Sequence, residues 1–499
     1  MKDKKQFRVL FASLFNDEAL NIRLLHSIVY HKGYDARMVF IKKFPIRNQR
    51  GQEYLKKSFL HEPNELTDAE LQIFADFVVD YKPDVIAFSL VSSNFELYKK
   101  IYSKIRGLGD FTIIIGGWQA SLNPEHTIQY CDALCIGEGD EAISEVVDNL
   151  FNGRPIDHLQ NLWVNKGGAT VKNGVRPLVK DLNSNPVPVF DDETVYSVED
   201  GSLIPGEPFV NNVRYGIMAS RGCPYKCTYC SNEYMANKVY HRDWSRTRHR
   251  SVSHVLSELS EIRARFPKIE RIDFLDEVFI PDKAWLEEFC GKYPKEIALP
   301  FYCFFYPGTC SRETAKALKG AMLNGVWLGV QSGSERIRRD IFKRFYPNEK
   351  VLKQAEVFKE YGINVKYDFI FDNPFETFED SLESIKLILE LPQPFYLNLF
   401  SLKYFPKTEI TSMALERGFI TEADTDDFYK PPEGVQYYKV NIDGRDNDVS
   451  FINRLAMYIS FLALEEKVNK KDINEMVDRY YDSRDLGPVT KLLNPYLTA

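Results

Sequence analysis

The chain is poor in cysteine and has no long apolar run. Eight cysteines are spread over 499 residues, too sparse for the disulfide framework of a small secreted domain. No stretch of 18 apolar residues occurs, so no spanning helix is expected. The opening "MKDKKQFRVLFASLF" starts basic, but its apolar stretch is short and reads as a strand, not as a secretory signal. Positive charge is not in excess either. The 64 basic and 71 acidic residues give a net charge of −7, unlike the basic footprint of a nucleic-acid binder. No GxGxxG follows the first apolar run, which argues against a dinucleotide site. These absences leave a globular chain of about three domains, expected in the reducing cytoplasm. Aromatic residues, by contrast, are abundant. The 35 Phe and 28 Tyr suit large cores or a flat, bulky ligand.

Three of the eight cysteines lie together in "SRGCPYKCTYC" (Ser220–Cys230), spaced C-x3-C-x2-C. A structural zinc site closes its tetrahedron with four ligands. The only histidines near enough to complete one, His241 and His249, repeat no zinc-finger spacing. An iron–sulfur cluster fits better. Such clusters are held by cysteine thiolates, normally four. Three, from Cys223, Cys227 and Cys230, would leave one iron open to a substrate or cofactor.

The surrounding pattern is α/β. Residues 1–150 hold five β-type runs, "FRVLFAS", "ARMVFI", "VIAFSLV", "TIIIGG" and "ALCIGEG", with helical stretches between them, one of them around Asp68–Tyr81. That alternation predicts a parallel sheet covered by helices. Ligands of such sheets bind beyond the carboxyl ends of the strands. The third run is followed there by Ser89, Ser92 and Ser93, the fourth by Gly116, Gly117, Trp118 and Gln119, and the fifth by Gly137, Glu138 and Gly139. Small hydroxyls and glycines allow a ligand close to the backbone, although the same glycines can be plain turns. Residues 151–212 are rich in proline and turn residues. They read as a bridging linker with a hairpin tip at "NKGGATVKNG" and little other regular structure. Over 213–405 six more strand-like runs alternate with helices, fewer than the eight units of a full TIM barrel, and the cysteine triplet directly follows the first. Residues 406–499 read as mainly helical.

Together these features resemble radical S-adenosylmethionine (SAM) enzymes that carry a cobalamin-binding domain, the group that includes the class B methyltransferases. "SLVSSN", "GGWQAS" and "GEGDE" are similar to the loops of their Rossmann-like cobalamin domain, and "CPYKCTYC" to the signature of their partial (β/α)6 barrel. The resemblance implies that Cys223, Cys227 and Cys230 ligate a [4Fe–4S] cluster whose open iron is chelated by SAM. It places Tyr229 near the adenine, and Asp276 or Glu277 at the SAM ammonium. Gln331, Ser332, Gly333 and Ser334 of "GVQSGSE" would face the ribose or carboxylate, Gln331 standing where the group usually has glutamate. Ser89, Ser92, Ser93, Gly116, Gly117, Trp118, Gln119, Gly137, Glu138 and Gly139 would hold cobalamin. Classical cobalamin domains carry D-x-H-x-x-G. Here "DEALNI" has Ala19 at the histidine position, so the cobalt would lack a protein histidine.

The implied activity is reductive cleavage of SAM to a 5′-deoxyadenosyl radical, followed by methylation of an unactivated carbon through methylcobalamin. A cyclase or rearrangement enzyme that uses cobalamin without methyl transfer, or a non-catalytic cobalamin-binding sensor, would share the same motifs. The substrate could be a small molecule, a lipid or a peptide. Electrons would come from flavodoxin or ferredoxin, and no nucleic-acid partner is expected. Anaerobic reconstitution should load one [4Fe–4S] cluster, and Cys227→Ala should abolish it. Cys131, Cys135, Cys290, Cys303 and Cys310 should be dispensable for it. Iron and absorbance measurements on single and triple alanine variants check this. A triple variant of Cys223, Cys227 and Cys230 that kept its iron would contradict the assignment.

Overall fold

The computed structural model describes residues 3–16, 18–42, 66–241, 243–423, 440 and 442–498. Its first sheet is built on five parallel strands: β1 (Arg8–Leu14), β2 (Asp35–Ile41), β3 (Val85–Ser89), β4 (Thr112–Gly116) and β5 (Ala133–Cys135). Their order is β5-β4-β3-β1-β2. The winding reverses between β1 and β3, and such a switch point opens a crevice at the carboxyl ends. β1 is apolar on both faces and buried almost throughout, as a central parallel strand must be. Helices cover the sheet. The one over Asp68–Tyr81 starts where Thr67 and Glu70 cap each other reciprocally, and it ends at Lys82 in the left-handed conformation.

The stretch 151–212 contains more regular structure than its composition suggests. β6 (Leu162–Lys166) and β7 (Ala169–Lys172) form the expected hairpin and pair antiparallel onto β5. β8 (Val195–Glu199) adds parallel to β2, and β9 (Ser202–Pro205) adds antiparallel to β8. The sheet therefore has nine strands, with both edges supplied by this segment. β7 and β9 are largely exposed and lack the apolar alternation that identifies a strand in sequence. The segment is pinned from inside. Arg23, in the helix Leu20–His31, donates to both carboxylate oxygens of Glu207 at 3.0 and 2.7 Å, and both side chains are fully buried. The rings of Phe40, Phe190 and Phe209 stand within 5.1 Å of the guanidinium.

The second sheet has six parallel strands. β10 (Arg214–Ile217) is followed by a small antiparallel ladder of β11 (Ser220–Arg221) with β12 (Arg248–His249). Then come β13 (Arg271–Phe274), β14 (Phe301–Phe305), β15 (Leu323–Gln331), β16 (Asn364–Phe371) and β17 (Tyr396–Ser401), in the order β10-β13-β14-β15-β16-β17. The interposed helices Val252–Arg265, Lys283–Glu296, Arg312–Gly320, Asn348–Glu360 and Phe378–Glu390 make this a partial TIM-type barrel. Alternate residues divide the faces. Val326, Leu328 and Val330 pack into the helix-side core, so Trp327, Gly329 and Gln331 of the same strand lie on the opposite, concave face. Beyond the barrel, helices Glu409–Glu416, Asn447–Leu464, Lys470–Ser483 and Gly487–Thr498 form the tail. Phe451 stacks on Tyr480 there at 3.9 Å. No helix among the described residues is long and apolar enough to cross a membrane.

Arg23→Met should destabilise the fold by about 3–5 kcal/mol, because it leaves the Glu207 carboxylate buried without its counter-ion. Chemical denaturation checks this. The double variant with Glu207→Gln should recover part of the loss.

Candidate functional site

The carboxyl ends of β3, β4 and β5 and those of β10 and β13 line one cavity of about 310 Å³. Ser89, Gly116, Gly117, Trp118 and Gly137–Gly139 contribute from the first sheet, and Ser220, Arg221 and Glu277 from the barrel. Apolar residues of the helices Leu20–His31 and Asp140–Phe151, and of the first sheet, also line it. Leu25, Val146, Ala87 and Ile114 are among these apolar lining residues. Ala19, where a cobalt-binding histidine would stand, has a left-handed backbone (φ 38°), and its N–H is accepted by Asn16 Oδ1 at 3.0 Å. Asp17 lies outside the described residues. The described residues of this loop therefore bring no histidine to the cavity, whereas His254 of the helix Val252–Arg265 does line it. Ser92, Ser93 and Gln119 are buried and do not line the cavity. Ser92 and Ser93 form the turn that leads into the helix Phe95–Ile105, and Gln119 Nε2 donates to Thr127 Oγ1.

Several residues of the glycine loops are committed to the protein itself. Gly117 has φ +88°, and a Cβ there would lie 2.7 Å from Leu90 O, so its bareness is required by its own neighbouring loop. Gly137 has φ +79°, and a Cβ would overlap the Tyr240 hydroxyl, which accepts from Glu138 N at 2.7 Å. The Glu138 carboxylate accepts from Arg248 at 2.7 and 3.1 Å and lies 3.2 Å from Arg221. Asp140 accepts from both terminal nitrogens of Arg221 at 2.9 Å. Burial opposes the charge of Asp140, but the Arg221 guanidinium prevails and holds its carboxyl below the usual range. Arg221 and Arg248 are cross-strand partners on the β11–β12 ladder. The loop after β5 is thus clasped to the strand that begins the cysteine loop. Trp118 is half-buried and packs with Met235, Tyr240 and Trp244 beside the cavity.

The cysteine loop leaves β11 through Gly222. Here φ is +102°, and a Cβ would lie 2.6 and 2.7 Å from the carbonyls of Trp244 and Arg246. Cys227 is buried, and Cys223 and Cys230 are half-buried. Burial and the neighbouring thiols push Cys223 and Cys230 up to about 12, so the three sulfurs are close enough to repel as thiolates. No group of three His, Cys, Asp or Glu side chains among the described residues closes around a single ion. A four-iron cube, wider than one ion, remains compatible with the triplet. The donor chemistry supports it through a residue that the sequence did not flag. Arg344 is buried, and its Nη1 lies 3.3 Å from Cys227 Sγ and 3.1 Å from the Tyr229 hydroxyl. Among the described residues no carboxylate lies within 4.0 Å of it. A buried cation without a carboxylate calls for another anion, which a thiolate at Cys227 would supply. Tyr306 stacks on Tyr225 of the cysteine loop at 3.7 Å and also carries Arg344 on its ring at 4.1 Å.

The other strand ends divide into occupied and available groups. Asp276 accepts from the Ser220 hydroxyl and from Ala219 N, so it braces the strand that enters the cysteine loop. Glu277 lines the cavity, lies within electrostatic reach of Cys223 and Cys230, and has a buried Oε2 with no hydrogen-bond partner among the described residues. At the end of β15, Gln331 takes φ +73° at a bulge. Ser332 Oγ donates to Glu376 at 3.1 Å, and Ser334 Oγ donates to Asp380 at 2.7 Å. Gly333 passes so close to Glu383 and Ser384 that a Cβ would press into their backbone. The two hydroxyls thus tie β15 to the helix Phe378–Glu390.

Residues 217–388 match the radical SAM superfamily and residues 51–147 the B12-binding domain family. The chain therefore joins a B12-binding domain to a radical SAM domain and is a radical SAM enzyme. The radical SAM domain implies a [4Fe–4S] cluster and SAM, and the B12-binding domain implies cobalamin. The chain is 27% identical over 333 residues to the uncharacterized methyltransferase PH0819 of Pyrococcus horikoshii, covering 65% of this chain and 68% of that one. Two solved structures share the fold at 16% identity. One is the radical SAM methyltransferase TsrM of Kitasatospora setae (TM-score 0.64, covering 82% of this chain and 76% of that one). The other is the cobalamin-dependent SAM radical enzyme OxsB (TM-score 0.63, 96% and 71%).

Three buried carboxyls at the strand ends titrate high for the same reason. Burial pushes Asp276 up to about 6, Glu277 to about 7 and Glu376 to about 8. A carboxyl raised on folding costs stability once the unfolded chain has lost its proton. The contribution of Glu376 therefore falls as pH rises from about 4.5 to about 8. Glu376→Gln should stabilise the cofactor-free protein at pH 7 by roughly 3 kcal/mol and flatten this pH dependence, as read by denaturation from pH 5 to 8.

Proposed function

We propose that this enzyme methylates an unactivated carbon, using SAM, a [4Fe–4S] cluster and cobalamin. The observation that carries the proposal is the single cavity walled by both the B12-binding loops and the mouth of the radical SAM barrel. When bound, the cofactors supply one-electron cleavage of SAM and carriage of a methyl group. Cys223, Cys227 and Cys230 are the cluster ligands in this reading. Glu277 offers its unpartnered Oε2 to the SAM ammonium, while Asp276 holds the loop in place. Tyr229, with its hydroxyl taken by Arg344, presents its ring. Ser332 and Ser334 act by fixing the end of β15 behind Gln331. Ser89, Gly116, Gly117 and Gly137–Gly139 line the cobalamin pocket, with Trp118 excluding water at its edge. Residues 1–150 would be the cobalamin domain, 213–405 the radical core and 406–499 the helical tail.

Two of the three similar proteins above are named methyltransferases, which supports methyl transfer. OxsB, alike in fold over nearly the whole chain, is named only as a cobalamin-dependent radical enzyme, so a rearrangement without methyl transfer is the second reading. The protein would work in the cytoplasm on a small molecule, lipid or peptide, with electrons from flavodoxin or ferredoxin. Comparison of cell extracts with and without the protein should reveal a metabolite heavier by one methylene. With that substrate, 5′-deoxyadenosine, S-adenosylhomocysteine and methylated product should rise together. Turnover that yields 5′-deoxyadenosine without S-adenosylhomocysteine or methyl gain would reject methyl transfer and favour the rearrangement.

A further inference from the structure

Resting on the reading of Cys227 as a cluster ligand, we infer that Arg344 is the counter-ion of that ligand and sets the reduction potential of the cluster. The guanidinium is buried, and every partner it has in the structure is neutral or sulfur. Nη1 donates to Cys227 Sγ at 3.3 Å and to the Tyr229 hydroxyl at 3.1 Å, Nη2 donates to Gly329 O, and Nε donates to the Tyr346 hydroxyl at 3.3 Å. Tyr306 and Tyr346 lie against it at 4.1 and 5.4 Å. Neighbouring cations have acidic partners. Arg336 pairs with Asp380, Arg338 lies 3.7 Å from Glu335, and Lys343 pairs with Glu409. Arg344 differs in being aimed at a cysteine sulfur.

The chemistry of that contact is specific. Hydrogen bonds to cluster sulfurs, net charge and solvent exposure are the protein's levers on potential. Reduction adds one electron, from an external low-potential donor, and no proton. It makes the cluster more negative by one charge. A fixed cation at a ligand sulfur stabilises the more negative, reduced form and so raises the potential. The surrounding tyrosine rings exclude water and leave this charge little screened. The guanidinium also joins the cysteine loop to Gly329 on the concave face of β15, so it fixes the position of Cys227 as well. Arg344 is thus a positioning and potential-setting residue.

The test is an EPR-monitored redox titration of the reconstituted full chain without SAM, with iron content measured in parallel. The variants are Arg344→Met, which removes the charge at similar length, and Arg344→Lys, which keeps it. Arg344→Met should keep its iron and titrate at a distinctly more negative potential. Arg344→Lys should return most of the way to the wild-type value. A purely packing role would change iron content or stability and leave the potential of the loaded cluster unmoved. Full iron with a wild-type potential in Arg344→Met would overturn the inference. If Arg344→Met loses its iron, Arg344→Lys decides: a cluster near the wild-type potential supports the charge, and loss of iron there too overturns it in favour of packing. Wild-type protein that binds no cluster would instead refute the assignment of Cys227.

Discussion

The site depends on a buried ionic clasp. Glu138 and Asp140, in the loop after β5, hold Arg221 and Arg248 of the β11–β12 ladder, and Cys223 is two residues beyond Arg221. Each group is largely removed from water, so neither pair could be broken without stranding a charge. The clasp does for the interface what a hydrophobic contact could not. It sets the distance and angle between two loops that must address one cavity. The Tyr240 hydroxyl pressed onto Gly137, and the passage of Gly222 beneath the carbonyls of Trp244 and Arg246, add steric limits at both ends of the same joint. Cofactor-facing surface in each domain is therefore positioned by the other domain.

Much of this was legible in sequence, because period and spacing carry it. The five apolar runs of the first sheet, the six of the barrel and the helix Asp68–Tyr81 follow from alternation and caps. The cysteine triplet is legible because three thiols within eight residues have few other uses. The edge strands β7 and β9 were not legible, since exposed edge strands need no apolar pattern. The roles of the loop residues were also hidden. "GEGDE" and "QSGS" look like ligand-binding loops, yet the Glu138 carboxylate and the hydroxyls of Ser332 and Ser334 have protein partners. Partners distant in sequence decide such cases: Glu138 meets Arg248 across 110 residues, and Arg344 meets Cys227 across 117. One local signal did exist for Arg344. It sits in "SERIRRDIFKR", a basic stretch in an acidic chain.

The distribution of charge has a common logic. Burial raises three carboxyls at the strand ends, Asp276, Glu277 and Glu376, and it raises the thiols of Cys223 and Cys230 at the mouth of the barrel in the same way. Each is costly for the empty protein and becomes favourable when a cationic or metal partner is present. Arg344 is the complementary case, a buried cation whose Nη1 is aimed at the Cys227 sulfur. Stability in such a site is coupled to loading, so the empty protein should be the less stable form.

The central claim is that one cavity holds cobalamin against the mouth of a cluster-bearing barrel, with no histidine from the Ala19 loop beneath the cobalt. Its most direct test is the EPR spectrum of cob(II)alamin bound to the anaerobically reconstituted full chain, recorded before and after reduction of the cluster. The account predicts a base-off signal without nitrogen splitting from a protein ligand, broadened once the cluster is reduced. A histidine-coordinated or base-on signal, or one indifferent to the state of the cluster, would contradict it.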